Sequence, residues 1–254
     1  MTTGLFRTNL ARFRAATALE LGCDEAAFDS HALTVVARPD TARDQRPARV
    51  VTFGTGTVIS IDPAYLDWAR RLSFKKHYDA FSADQFVLPM IAEMALRGAA
   101  GAARAVSLTF IPEVTPRPPS LRVGVCEQRI DPGWRAKHLP SGLFANALGD
   151  PGEVHADVYW RWGLALIDES GEPVAVAGAY DDGQGLLEIG VDVVRELRGT
   201  GLARTVVALI SRAIAEDGMT ATYYCSASNV RSHRTALGAG FVPVVTNAGV
   251  RMPR

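Results

Sequence analysis

The residues of this chain best suited to chemistry fall in one run: Glu188-Ile-Gly-Val-Asp-Val193, then Val194-Arg-Glu-Leu197, then Arg198-Gly-Thr-Gly-Leu-Ala203. An Arg-x-x-Gly-x-Ala segment between a strand and a long amphipathic helix aims bare backbone N–H groups and the positive end of a helix dipole at one point. Such a point holds an anion, most often a phosphate. Gly199, Thr200, Gly201, Leu202, Ala203 and Arg204 would supply the donors, and glycine permits close approach because it has no Cβ. Arg198 or Arg204 could add charge-assisted hydrogen bonds. The sequence does not choose between them, and a solvated helix-end cation is the plain alternative for each. On the strand, alternation sets Glu188, Gly190 and Asp192 on one face and Leu187, Ile189, Val191 and Val193 on the other. A carboxylate partly desolvated in so apolar a strand has a raised pKa and can take a proton directly or through water. Glu188 is therefore the candidate general base, with Asp192 as the second candidate. An ion pair with Arg161 or Arg195 is the structural alternative for Glu188, and a bulge would upset the alternation.

Other chemistries fail on residue type or spacing. A dinucleotide fingerprint needs glycines at its first, third and sixth positions. Gly199 and Gly201 fit, but Arg204 stands sixth, and after Gly54 and Gly56 the sixth position is Ile59. No Gly-Lys-Ser/Thr occurs, which excludes a P-loop. Cys225 has no nearby Asp to complete a Cys-His-acid set and reads as a core thiol. His77, His138 and His155 lack metal-ligand spacing, so no metal is expected. Tyr159, Trp160 and Trp162 read as packing aromatics on a strand.

The elements that must position these groups follow from periodicity. Leu121–Gln128, Tyr159–Ile167, Val174–Tyr180 and Leu186–Val193 read as strands, with turns at Asp168-Glu-Ser-Gly171 and Asp181-Asp-Gly183. Leu202, Val206, Leu209, Ile210, Ala213 and Ile214 share one helical face over 202–216, and Gly218 ends that helix. A strand at 221–226, a helix at 230–238 and a strand at 241–245 close the chain. The order β-β-β-α-β-α-β gives three antiparallel strands and then a helical crossover to a strand parallel to the third. Residues 132–148 read as helical or irregular, broken at Pro140. Upstream, helices are expected over 5–20, from Asp62-Pro63, and over 86–97 behind a capping box at Ser82-Ala-Asp-Gln85. Strands are expected at 50–53 and 57–61. Ile111–Pro119 holds four prolines in nine residues and reads as a linker or an extended crossing segment.

Four segments come in a fixed order: Glu188–Val193, Arg198–Ala203, Ser228-Asn229-Val-Arg-Ser232 and Leu237-Gly-Ala-Gly-Phe241. This order resembles the GNAT superfamily of N-acetyltransferases over roughly residues 155–245, with a weaker extension back to 121. The resemblance implies an α/β class with a mixed (α+β) sheet: a GNAT-like acyl-CoA fold at 121–254 and an additional α/β region at 1–110, joined by 111–120. It leaves residues 1–110 open as a degenerate second copy, a substrate-covering domain or a dimerisation region. It implies acetyl-CoA as co-substrate, with its pyrophosphate on the N–H groups of 199–204. Asn229 and Ser232 would join the cofactor site. Val191 and Val193 would offer backbone partners where the third strand and its parallel neighbour splay apart, and an N–H near Val191 would hold the oxyanion. The acceptor would be a primary amine, most simply a small molecule, acetylated by direct transfer in a ternary complex, with Asp192 at a loop end or against the substrate ammonium. A protein N-acetyltransferase and a non-catalytic acyl-CoA-sensing module are the alternatives. In one respect the chain departs from the pattern: Ala236 stands where many relatives place a tyrosine acid. Tyr224 is the replacement in this reading, with Tyr223, Ser232 and His233 as others.

Composition narrows the partners. The 254 residues carry 27 Lys+Arg against 27 Asp+Glu, so nothing favours nucleic acid or an anionic membrane as the obligatory partner. Hydrophobic residues make up 48%, enough for a substantial core. Cys23, Cys126 and Cys225 are odd in number and widely spaced, which fits a reducing cytoplasm better than a disulfide framework. No signal-peptide core and no run long enough to span a bilayer is visible. A homodimer stays open.

Overall fold

The computed structural model describes residues 4–40, 46–115, 117–120, 124–138, 141–149, 160–181 and 184–252. They divide into two compact units. Leu10–Thr109, Cys225–Asn229 and Pro243–Arg254 form the first, and Met1–Asn9, Phe110–Tyr224 and Val230–Val242 form the second.

In the first unit the strands are β1 (Leu33–Ala37), β2 (Ala48–Thr52), β3 (Thr57–Ile61), β4 (Ala102–Pro112) and, from the chain's end, β10 (Phe241–Arg251). Their order is β1-β3-β2-β10-β4. β1 runs parallel to β3, and β2 runs antiparallel to both β3 and β10, so the sheet is mixed. All five residues of β3 are buried, because both faces are covered. Val51 and Val58 join Leu21 and Phe28 in one cluster, while Ala48, Val50, Ile59 and Ile61 join Phe86, Met90 and Met94 in another. The period-2 alternation of β2 and β3 thus feeds two cores.

The helices of this unit start largely as their residues dictate. α1 spans Gly4–Leu21. Asp62 accepts a hydrogen bond from the Ala64 N–H, and Pro63 opens a 3₁₀ turn that leads into α2 (Leu66–Arg70). Ser82 differs: its side chain makes no capping bond, and Ala83–Val87 takes a π-helical turn before α3 (Leu88–Leu96). Two strands fall outside the expected elements. β1 was not expected, and β4 is rich in alanine at its start. At the start of the proline-rich segment Ile111 and Pro112 are extended as the end of β4, and Ile111 is fully buried. A proline can close a strand because only its missing N–H leaves the ladder.

The second unit contains β5 (Val125–Arg129), β6 (Trp160–Asp168), β7 (Pro173–Asp181), β8 (Leu186–Val193) and β9 (Thr220–Ser226). Successive neighbours from β5 to β8 pair antiparallel, and β8 pairs parallel with β9. The expected sequence of antiparallel strands, crossover and parallel strand is the one observed. α4 (Pro132–His138) and α5 (Ala145–Leu148) lie between β5 and β6, α6 (Leu202–Glu216) is the crossover, and α7 (Val230–Gly238) follows β9. Leu202, Val206, Val207, Leu209, Ile210 and Ile214 of α6 are buried. Gly218, at φ 73°, ends the helix where expected. Tyr159 and the Asp182-Gly183 turn lie outside the described residues. No helix among the described residues is long and apolar enough to cross a membrane.

Candidate active site

The link from β8 to α6 is built by two glycines. Arg195–Leu197 forms a 3₁₀ turn, and Arg198 is extended. Gly199 (φ 81°) and Gly201 (φ 94°) then adopt the left-handed region that costs other residues about 1–2 kcal/mol. The Thr200 hydroxyl donates to the Leu197 carbonyl at 2.6 Å and pins the turn. Gly201 is the N-cap of α6, without a side-chain cap, and its carbonyl accepts from the Thr205 N–H at 3.1 Å and the Thr205 hydroxyl at 3.3 Å. The N–H groups of Gly201, Leu202, Ala203 and Arg204 meet no acceptor among the described residues. These are the orphan donors of a helix start, concentrated at one point.

The two arginines take different places. The Arg198 Nε donates to the Val193 carbonyl at 3.2 Å, tying the cradle back to the end of β8 and occupying an oxygen of one expected backbone contact. Arg204 lays its stem on α7: a Cβ at Gly238 would lie 2.7 Å from the Arg204 Cδ. Its side chain is exposed, and no carboxylate pairs with either arginine among the described residues.

The ladder between β8 and β9 is short. It runs Leu186↔Thr220, Leu187↔Ala221 and Glu188↔Thr222, and no further pair follows among the described residues. β8 continues to Val193 while still paired with β7, Val191 to Ala177 and Val193 to Ala175. The β9 side of Ile189–Asp192 has no strand partner among the described residues, whereas the Val193 carbonyl is taken by Arg198. The ladder thus stops short of Val191 and Val193.

Glu188 stands where the ladder ends. Register places Trp160, Tyr180, Glu188 and Thr222 in one row across four strands, on one face. Tyr224 follows two residues beyond Thr222 on that face, roughly 7 Å farther along the strand, and is half-buried. Glu188 is the one exposed residue of β8. The expectation of a partly desolvated carboxylate is thus corrected: its neighbours Leu187 and Ile189 are buried on the opposite face, and that burial does not extend to Glu188. Arg161 pairs with Asp181, at 3.6 Å. Asp192, on the same face as Glu188, binds the protein instead of facing a ligand. Its carboxylate accepts from the Asn146 Nδ2 at 2.6 Å and from the Ala147 N–H at 3.0 Å.

The segment Asp192 holds was not legible in the sequence. Gly163, Gly178 and Gly190 stand in register beside the Trp160–Tyr180–Glu188 row. A Cβ at Gly190 would lie 1.7 Å from the Asn146 carbonyl oxygen, and one at Gly178 would lie 1.8 Å from that of Ala147. The backbone of α5 rests directly on the sheet because these positions have no side chain. Trp160 Nε1 and the Tyr180 hydroxyl both donate to the Ala147 carbonyl, at 3.3 and 3.1 Å. Arg135 is buried, donates through Nε and Nη2 to the Leu148 carbonyl at 3.0 and 2.6 Å, and lies 5.4 Å from the Trp160 ring centre. The trio of glycines on paired strands was the signal available for this close approach.

The other candidates separate cleanly. Tyr223 is buried between Phe110 and Phe241, and its hydroxyl lies 2.8 Å from that of Ser232. Ser232 thus spends its hydroxyl on the core. His233 is half-buried with its ring 5.5 Å from Phe110. Ala236 is fully buried and Cys225 is buried. Asn229 is exposed, and its N–H donates to the Ser226 carbonyl at 2.9 Å just before α7. No group of three or more His, Cys, Asp or Glu that could hold a metal occurs among the described residues.

Comparison with known proteins adds to this geometry. The structure is similar to a GCN5-related N-acetyltransferase from Kribbella flavida over 96% of this chain and 95% of that one, at 17% identity and a TM-score of 0.52. The chain has the GNAT fold. It is also similar to a Drosophila protein over 85% of this chain and 77% of that one, at 17% identity and a TM-score of 0.51. An acetyltransferase of the GNAT family from Colwellia psychrerythraea matches 66% of this chain at 15% identity and a TM-score of 0.45; the match spans 62% of that protein, less than two thirds. The FR47-like protein family matches residues 171–241, from the β6–β7 turn of the GNAT fold to the first residue of β10. No curated protein matches the sequence.

Proposed function

We propose that this protein is an acetyl-CoA-dependent N-acetyltransferase acting on a primary amine, most simply a small molecule, by direct transfer in a ternary complex. The observation that carries the reading is the coincidence of two open backbone sites on one strand–helix unit. Among the described residues the N–H groups of Gly201–Arg204 meet no acceptor, and the β8–β9 ladder stops at Glu188. The first suits a pyrophosphate and the second suits the amides of an extended arm. When bound, acetyl-CoA would supply the activated acetyl thioester. Arg198 and Arg204 would add charge at the cradle, and the β8 backbone near Val191 would offer a donor to the thioester oxygen.

Glu188, exposed at the end of the ladder, would take the amine proton directly or through water. Tyr224, on the same face, is the side chain we assign to return a proton to the leaving thiolate. α5, pressed onto the glycine row, forms a wall beside Glu188, and Asp192 holds that wall in place. One observation favours the non-catalytic alternative: the position of the missing tyrosine, Ala236, is fully buried and offers no proton. Calorimetric titration with acetyl-CoA, followed by thiol release across a panel of amines, separates the readings. Binding with release supports the enzyme. Binding without release from any amine favours a sensor, and absence of binding removes the cofactor assignment.

A further inference from the structure

A second concentration of charge lies in the first unit, in a segment that acetyl transfer does not use. The chain has only three lysines, and two are adjacent, Lys75 and Lys76; two of its five histidines, His31 and His77, join them. With Arg70 these side chains line one cavity of about 730 Å³, within the usual range for small-molecule sites. Its apolar wall is Leu33 and Val35 of β1 with Leu72 and Phe74. No carboxylate lines it among the described residues. Two acids stand near it: Asp29 pairs with Arg14 at 2.6 Å and also feels the charge of His31, and Asp79 accepts from the Lys76 N–H at 3.0 Å with its charge acting on the Lys76 ammonium.

Local structure holds the ring in this wall. The Nδ1 of His77 lies 2.8 Å from the hydroxyl of Thr57, which is fully buried, so the ring is anchored on β3. Its Nε2 meets no partner among the described residues. His31 is the one non-glycine residue with positive φ among the described residues, at 53°, a conformation that is uncommon outside glycine and clusters at functional positions. The Tyr78 hydroxyl, bonded to Lys76, holds the ammonium above the usual lysine range.

We propose that this cavity binds a small organic phosphate, its phosphate on Arg70, Lys75, Lys76 and the two imidazoles and its organic body on the Leu33–Val35–Phe74 wall. Lysine and arginine supply point charge and a bidentate fork for phosphate oxygens. The apolar wall selects an organic body over free phosphate. This inference stands independently of the acetyl-transfer reading.

The test uses the full chain with ADP, adenosine, inorganic phosphate and a polyglutamate peptide as probes, read by calorimetry and by the imidazole resonances of His31 and His77. Those two resonances distinguish this cavity from the α6 cradle, which an adenine nucleotide could also enter. Saturable shifts of both with ADP, none with adenosine, weaker ones with phosphate, and a loss of about tenfold or more in affinity in Lys75→Glu/Lys76→Glu support the proposal. Arg70→Ala serves as the second variant if the double reversal fails to fold. Unmoved resonances at millimolar ADP, equal shifts with adenosine, or unchanged affinity in the folded variants would overturn it. Shifts with polyglutamate and none with ADP would also overturn it, in favour of an acidic peptide on the β1 edge.

Discussion

Glu188 faces solvent, whereas Asp192, four residues on along the same face, spends both oxygens on α5. The two carboxylates were alternatives in the sequence; their surroundings give them separate tasks. Glu188→Gln should leave acetyl-CoA affinity unchanged and lower turnover by roughly 10²–10⁴, the usual contribution of a general base. Unchanged turnover at pH 7 would take Glu188 out of the mechanism. Asp192→Ala should instead destabilise the protein by about 1–3 kcal/mol in urea unfolding, because the Asn146 amide loses its acceptor and the Ala147 N–H keeps only the Phe144 carbonyl. Asp192→Asn, which keeps one acceptor oxygen, should lose less. Equal stability of all three proteins would show that α5 does not depend on this residue.

At the scale of elements, the row Gly163–Gly178–Gly190 decides how near a helix comes to the sheet. Gly190→Ala puts a methyl 1.7 Å from a backbone oxygen, which no rotamer relieves, so α5 must lift. The expected cost is about 1–3 kcal/mol, with a changed near-ultraviolet dichroism as Trp160 loses its acceptor. Gly199→Ala in the cradle meets nothing within 4 Å and should cost only the left-handed backbone, about 1–2 kcal/mol, with the tryptophan signal intact. The hairpin between β6 and β7 behaves differently again. The Ser170 hydroxyl and the Glu172 N–H donate to Asp168 and hold its carboxyl below the usual aspartate range. Its contribution to stability is present above about pH 4, the ordinary aspartate value, and is lost as pH falls through the lowered one. Acid titration of unfolding should show wild type and Asp168→Asn converging at low pH; a constant gap would contradict the assignment. That turn was legible from Asp168-Glu-Ser-Gly171 because a turn depends on near neighbours.

For the molecule as a whole, its three thiols report burial at three separated points. Cys126 is exposed on β5, Cys225 is buried, and Cys23 is pushed up from 9.0 to about 11 by burial and then by Asp24 beside it. A thiol-alkylating reagent at pH 8 should modify Cys126 first in the native protein and reach the others only on unfolding. Uniform labelling would contradict the fold. Because the folded pKa of Cys23 is the higher, its contribution is intact below about pH 9 and is lost as pH rises towards about 11. Cys23→Ser should blunt the loss of stability in that window.

By itself the sequence determined what depends on spacing along the chain. The α6 entry with its two glycines, the order of antiparallel strands and crossover, and the end at Gly218 follow from residue types and periodicity along the chain, and each was readable. The structure alone decided what depends on the opposite side of a sheet. Whether Glu188 is covered, which residue holds α5, whether Ser232 has a free hydroxyl, and that Lys75 and Lys76 share a cavity with His31 are set by partners up to dozens of residues away. Periodicity says which face a side chain takes; only packing says what, if anything, covers that face.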